Sequence, residues 1–343
     1  MGQPGFFDLC ERYQSISKCG DPLEVLNREV PFESFGPDLK KAFKKTKKSN
    51  AGRKAFDLVL MFKIIVLQGL YNLSDAQMEF QIRDRLSFMR FLGLGMEDAV
   101  PDEKTIWLFK DTLAKRNATK KLLARFDKFL KQKGYAAKKG QIMDASIVEV
   151  PRQRNTRGEN QKIKSGEVPE WTENKLRQKD TDARWTKKNG KSYFGYKNHI
   201  NTDVKHKLIR KWEVTPASAH DSRVVEELLD ENNSGKGIWA DSAYRSAEIE
   251  ETLKGKYQSH IHHKGYRDKP LSDAKQRVNH KRSKAGARPR ARPWLSENQH
   301  GRKTDQRHGS GAGHAQDRHA QSGLQHVPLY ATAAPKNGVN RKK

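Results

Sequence analysis

The chain has 343 residues, room for two domains or one elaborated domain at roughly 150 residues each. Its 68 Lys and Arg against 41 Asp and Glu give a formal net charge of +27, which excludes a neutral surface and makes a polyanion the leading partner. Only 34% of the residues are hydrophobic, and the two cysteines, Cys10 and Cys19, exclude a disulfide scaffold and form no metal pattern.

Residues 1–54 read as an N-terminal basic arm. Aromatics are scattered at Phe6, Phe7, Tyr13, Phe32 and Phe35 with little periodicity. From Lys40 to Lys54 there are eight bases and no acid: Lys40, Lys41, Lys44, Lys45, Lys47, Lys48, Arg53 and Lys54. Such a run suits a solvated surface or, given the overall charge, contact with phosphates. No basic region followed by an apolar one opens the chain, so no secretory leader is expected.

Residues 55–135 read as a helical, DNA-binding type of domain. The stretch 57–71 is nearly all apolar and belongs in the middle of a bundle. Its apolar part, broken by Lys63 and Gln68, is shorter than the roughly 20 residues of a membrane span. Ser74 and Gln77 have the spacing of a capping box, opening a helix with Met78, Ile82, Leu86 and Met89 on one face. Pro101 with Asp102 and Glu103 opens another, and 120–130 is amphipathic. A plain bundle accounts for this pattern as well as a DNA-binding one does.

Residues 136–285 change character. Gln141 to Val150 reads as a strand with one acid, Asp144, among apolar and small residues. A polar insert, 152–191, follows with 12 bases and six acids, and its Trp171 and Trp185 suit either stacking on bases or docking on the core. Strands over 192–203 and 207–215, a short helix over 221–230, a strand over 237–241 ending in Asp241, a helix over 246–253 and a strand over 257–262 make a mixed α/β sheet. An acid on an apolar strand is costly unless it is paired or bound to a cation. Asp144 and Asp241, each at or near a strand end, therefore suggest a shared cation, with loop or helix capping as the plainer account. Mg²⁺ fits, because it takes oxygen ligands and keeps waters. Two such ions about 4 Å apart activate a nucleophilic water or 3′-hydroxyl and stabilise the leaving oxygen. His220-Asp221 suits a base with its orienter or a helix cap. His260, His262 and His263 alternate along a strand and read better as a solvated edge than as a cluster. There is no Walker motif, dinucleotide loop or nucleophile elbow.

Four stretches carry a family resemblance: Met143-Asp-Ala-Ser, Tyr193 to Asp203, Thr215 to Asp221, and Ala240-Asp-Ser-Ala-Tyr-Arg-Ser246. Together they resemble bacterial insertion-sequence transposases of the DDE type, in the family numbered five, over roughly residues 30–285. The resemblance implies a ribonuclease-H-like α/β core, a mixed sheet with flanking helices, behind an all-helical N-terminal domain. It also implies Mg²⁺ or Mn²⁺, strand cleavage and transfer at the terminal inverted repeats and target DNA, a homodimer on DNA, and a place at the nucleoid of the bacterial cytoplasm. On this carry-over Asp144 and Asp241 are the first and second acids of a triad, and Tyr244 and Arg245 support the second.

The third motif departs from the pattern. Lys281-Arg-Ser-Lys284 arrives where an Arg-rich run belongs, but no Glu follows in Ala285 to Trp294, and Pro289 and Pro293 would break a helix there. Residues 286–343 hold only seven large apolar residues in 58, with seven glycines and five histidines. Such a segment buries too little to offset chain entropy. It reads as a low-order tail, either native or out of frame from near Ala285, and in the second case the chain is an inactivated transposase. A non-catalytic DNA-binding protein, acting as an inhibitor, is the competing reading.

Overall fold

The computed structural model describes residues 8–44, 55–266 and 270–286. These fall into two compact units that divide between Arg125 and Phe126.

The first unit is helical: α1 (Asp8–Lys18), α2 (Pro22–Glu29), α3 (Gly36–Ala42), α4 (Leu58–Tyr71), α5 (Asp75–Asp84), α6 (Leu86–Leu92) and α7 (Glu103–Lys115), with the boundary inside α8 (Ala118–Gln132). The apolar run forms α4, capped by Asp57, whose Oδ1 accepts from Val59 and Leu60, and eight of its residues are buried. No single helix among the described residues is long and apolar enough to cross a membrane. The Ser74–Gln77 capping box is present in both directions. Two local readings change. The chain breaks at Arg85, so Met78 and Ile82 lie on α5 and Met89 on α6. The Arg85 guanidinium sits over the Tyr71 and Phe88 rings, a tertiary contact that an extended backbone permits. Pro101 lies outside α7, which Asp102 caps through Thr105 N.

The arm expected over 1–54 is folded in its described part. Leu23, Leu26, Phe32, Phe35 and Leu39 are buried, and Phe32 meets Phe62 and Phe91 edge-on. Short helices with few apolar residues show little periodicity, and packing decides them. Lys40 and Lys41 on α3, and Lys44 beyond it, are exposed; Lys45, Lys47, Lys48, Arg53 and Lys54 lie outside the described residues.

The second unit is built on a six-stranded mixed sheet: β1 (Gln141–Glu149), β2 (Arg184–Lys188), β3 (Lys191–Asp203), β4 (Ile209–Pro216), β5 (Gly237–Trp239) and β6 (Gln258–Ser259). Strands β4, β3 and β1 are antiparallel neighbours, and β5 and then β6 follow parallel to β1. With flanking helices this is the ribonuclease-H-like arrangement, and β2 is added to it as a hairpin on β3. The insert is ordered: it forms α9 (Arg157–Ser165), capped reciprocally by Thr156 and Glu159, α10 (Glu173–Gln178) and β2. Trp171 docks there, its Nε1 donating to Glu159 Oε1 (2.6 Å). Lys175, the Thr156 amide and Trp171 together hold the Glu159 carboxyl down at about 2.

One apolar cluster joins Met143, Ile238 and Ala240 of the sheet region to Val225 and Leu228 of α11 (Val225–Leu228) and Ile249 and Leu253 of α12 (Ala247–Leu253). A second joins Ala183, Phe194, Tyr196 and Val214. A last helix, α13 (Asp273–Gly286), follows β6. Residues 287–343, where the low-order tail was expected, lie outside the described residues.

Candidate active site

The site begins with how β1 is set against β5. Gln141, fully buried, bonds through its amide to the main chain of Asp230: Oε1 accepts from Asp230 N (2.8 Å) and Nε2 donates to Asp230 O (3.1 Å). One residue earlier, Asn233 clamps both polar atoms of the Gly140 backbone. Gly140 has φ +98°, and a Cβ there would overlap the Gly237 carbonyl, so only glycine lets the strands approach. These contacts fix the pairing of Gln141 with Ile238 and of Ile142 with Trp239. Two residues beyond that last pair stand Asp144, on β1, and Asp241, just past the end of β5. Adjacent strands lie about 4.8 Å apart, so continuing the register brings the two acids alongside one another.

Both carboxylates face solvent. Asp144 Oδ1 accepts from Ala145 N (2.9 Å). The strand ends at Trp239, short of Asp241, which instead caps a 3-10 turn over Ser242–Tyr244, its Oδ1 accepting from Ala243 N (2.9 Å). Capping is thus real, and it coexists with a shared level that capping alone does not require.

Tyr244 closes that turn and is fully buried. Its Oη lies 3.1 Å from His199 Nδ1 on β3, and His199 Nε2 lies 3.0 Å from Thr215 Oγ1 on β4. Burial first, then the carboxylates of Asp221, Asp144 and Asp241, push the Tyr244 hydroxyl far above its usual range. Burial likewise lowers the His199 pKa, and each ring nitrogen faces a hydroxyl that can donate or accept. Lys197 Nζ pairs with Asp221 Oδ1 (2.7 Å) and donates to Ala219 O. His220 bonds Ser222 rather than its neighbour Asp221, so it caps the turn that follows instead of forming a base with Asp221 as its orienter. Arg245 donates to Ile261 O (2.8 Å) and pairs with Glu250, bracing the segment behind the turn.

Past β6 the chain stays beside β5, with His260 N donating to Ile238 O and His262 N to Ala240 O. His260 stacks on Trp239, and His262 Nε2 lies 3.3 Å from Ser283 Oγ, so these histidines do different things. α13 is tied to this segment by main-chain bonds: Asn279 donates to His263 O and accepts from His263 N, and Arg282 donates to Ile261 O. His262 also feels the Asp241 carboxylate. Among the described residues, no group of three or more His, Cys, Asp or Glu comes together as a metal cage. The donor set at the site, two exposed carboxylates at one level, suits a hard divalent cation that keeps its waters and takes substrate phosphate as well.

The sequence reading placed Asp144, Asp241, Tyr244 and Arg245 in one region. It missed Gln141, Asn233, His199, Thr215 and Lys197 as their supports. Two of the motifs held some of them: 193–203 contains Lys197 and His199, and 215–221 opens on Thr215.

A family model described as "Transposase DDE domain" matches residues 135–309, and one described as "Transposase domain (DUF772)" matches residues 11–112. Among solved structures, "Crystal structure of the Mos1 Strand Transfer Complex" aligns at 13% identity over 96% of this chain and 86% of that one. Its TM-score of 0.19 is too low to bear on the fold.

Proposed function

Since the chain belongs to the DDE transposase family, whose model spans just over half of it, and that family carries out phosphoryl transfer on DNA, we propose that it derives from the transposase of an insertion sequence that cleaves and transfers strands at the element's terminal inverted repeats. One observation carries this reading: the β1–β5 register brings Asp144 on β1 alongside Asp241 just past the end of β5, and both carboxylates act on the same buried Tyr244 hydroxyl. Mg²⁺ or Mn²⁺ held by these two carboxylates would supply Lewis-acid activation of the attacking water or 3′-hydroxyl and of the leaving oxygen. The chain's own residues do the rest. Asp144 and Asp241 present oxygen donors, while Tyr244, through its bond to His199, fixes the turn that carries Asp241. The basic surface, with Lys40, Lys41 and Lys44 exposed on it, neutralises phosphates. The working form is a homodimer on DNA in the bacterial cytoplasm.

In the same reading this copy lacks its third carboxylate. Ser283 lies against His262, and His262 feels Asp241, so the last turns of α13 stand near the second acid. No Glu occurs there before Glu297. A chain of this kind binds element ends without cutting them, which is also the sense in which it acts as an inhibitor. The test is a labelled duplex carrying the element's end, incubated with the full chain and Mg²⁺ or Mn²⁺. Binding without cleavage is the expected result. Cleavage by the chain as it stands overturns the defect, and no binding at 50 mM salt overturns the reading of DNA as its substrate.

A further inference from the structure

The hairpin between β2 and β3 has a charge arrangement that the acidic site does not use. Asn189 and Gly190 both have positive φ (50° and 79°), the two-residue turn whose twist matches paired strands. The turn sets Lys188 directly opposite Lys191, with Lys187 one residue before it. All three are exposed, and none forms an ion pair among the described residues. Like charges directly opposite one another destabilise a hairpin, so the fold carries a cost here that an anion lying between the strands would remove. No acid occurs from Ala183 to Thr202 to do so from within.

An aromatic surface continues from this tip. Trp185, two residues before Lys187 and so on the same face of β2, opposite the face that bears the Lys188–Lys191 pair, is 51% exposed. Its inner side rests on Phe194 (centroids 5.3 Å apart), and the Arg152 guanidinium lies 5.4 Å from its ring. An indole held in place on one side and flanked by a guanidinium is a rigid surface for a sugar–phosphate wall or a base.

We propose that the β2–β3 hairpin is a duplex-DNA contact separate from the basic run 40–54, entered tip first: Lys188 and Lys191 on one face and Lys187 on the other take phosphates, and Trp185 with Arg152 packs against the groove wall on the Lys187 face. This rests on the reading of DNA as the chain's substrate. It also fixes where on the DNA the contact falls. Asp144 pairs with Ile200, and from Ile200 back to Lys191 the strand runs nine residues, about 30 Å at about 3.3 Å per residue. That is close to the ~34 Å of one turn of B-form duplex, so the hairpin meets phosphates roughly one helical turn from the position held at the two aspartates.

The experiment is a salt titration of the full chain on a 40-base-pair duplex of mixed sequence, between 50 and 200 mM NaCl. The triple variant Lys187→Gln, Lys188→Gln, Lys191→Gln loses about 2.7 from the slope of log affinity against log salt, at about 0.9 per phosphate contact. The ratio of affinities at the two salt concentrations then shrinks about 40-fold. The triple Lys→Arg variant keeps the original slope. A steep slope that the Gln variant leaves unchanged overturns the hairpin contact while DNA binding stands. Absence of any binding by the unaltered chain removes both. A slope loss on double-stranded RNA but not on DNA overturns the proposal in favour of RNA. If the Gln variant fails to fold, acetylation of the unaltered chain decides: DNA is expected to protect Lys187, Lys188 and Lys191, and equal labelling with and without DNA overturns the contact.

Discussion

Tyr244 and His199 meet across the sheet at 3.1 Å, and through that contact the turn capped by Asp241 is tied to β3, two strands away from β5. Neither residue faces solvent, so the bond has no water to replace it.

Tyr244→Phe removes the hydroxyl and leaves His199 Nδ1 buried without its partner. The expected cost is about 1–3 kcal/mol, read as a lower urea midpoint with unchanged slope. A midpoint within experimental error of the parent would mean that the hydroxyl stabilises nothing.

Asp144→Asn and Asp241→Asn each remove one charged oxygen donor while leaving shape and surface bases intact. Mn²⁺ affinity, followed by the loss of free-ion EPR signal, should fall at least about tenfold in each, which is about 1.4 kcal/mol. Binding to a mixed duplex should change by less than about twofold, since phosphates are met by Lys and Arg. Equal Mn²⁺ titrations in parent and both variants would remove these residues from the proposed metal site.

His199, His206, His260, His262 and His263 all have pKa values lowered in the fold, with burial the first cause in each. Unfolded, they take up protons near the ordinary value of 6.5. The unfolded state therefore binds more protons as pH falls through that value, and stability declines toward acid. The urea midpoint at pH 5.5 should lie below that at pH 7.5, before carboxylates begin to titrate. A flat or rising midpoint over this range would contradict imidazole pKa values lowered by the fold.

The nucleotide sequence around codon 285 tests the missing acid. If the tail is out of frame, another frame encodes an Arg-rich helix bearing a Glu and then an apolar segment. Restoring it by one or two nucleotides should give Mg²⁺-dependent cleavage. A coding sequence with no such segment in either alternative frame would make the present tail native.

What could be read from sequence was local. The capping box at Ser74 and Gln77, the buried α4 and the strand holding Asp144 follow from spacing within a few residues. What could not be read depends on partners far along the chain. Gln141 acts through Asp230 and Asn233 through Gly140, separations of 89 and 93 residues, and a polar residue at a strand end carries no mark of such a role. His199 in a strand looks like an ordinary polar residue until β4 and the Tyr244 turn close over it. The order in the insert was hidden for a related reason. Its stability comes from Glu159, Lys175 and Trp171 acting together, and no apolar periodicity records that.

The attachment of α13 has an evolutionary consequence. Its ties run through Asn279 and Arg282 to backbone atoms of Ile261 and His263, so the helix is seated before the third motif is reached and whatever side chains stand at those two positions. A change of frame near Ala285, after both ties, would therefore spare them. On the proposed reading, a mobile element with such a lesion would be silenced at the level of its chemistry alone, and its product, still folded on the same ends, would let one broken copy in a genome restrain its intact siblings.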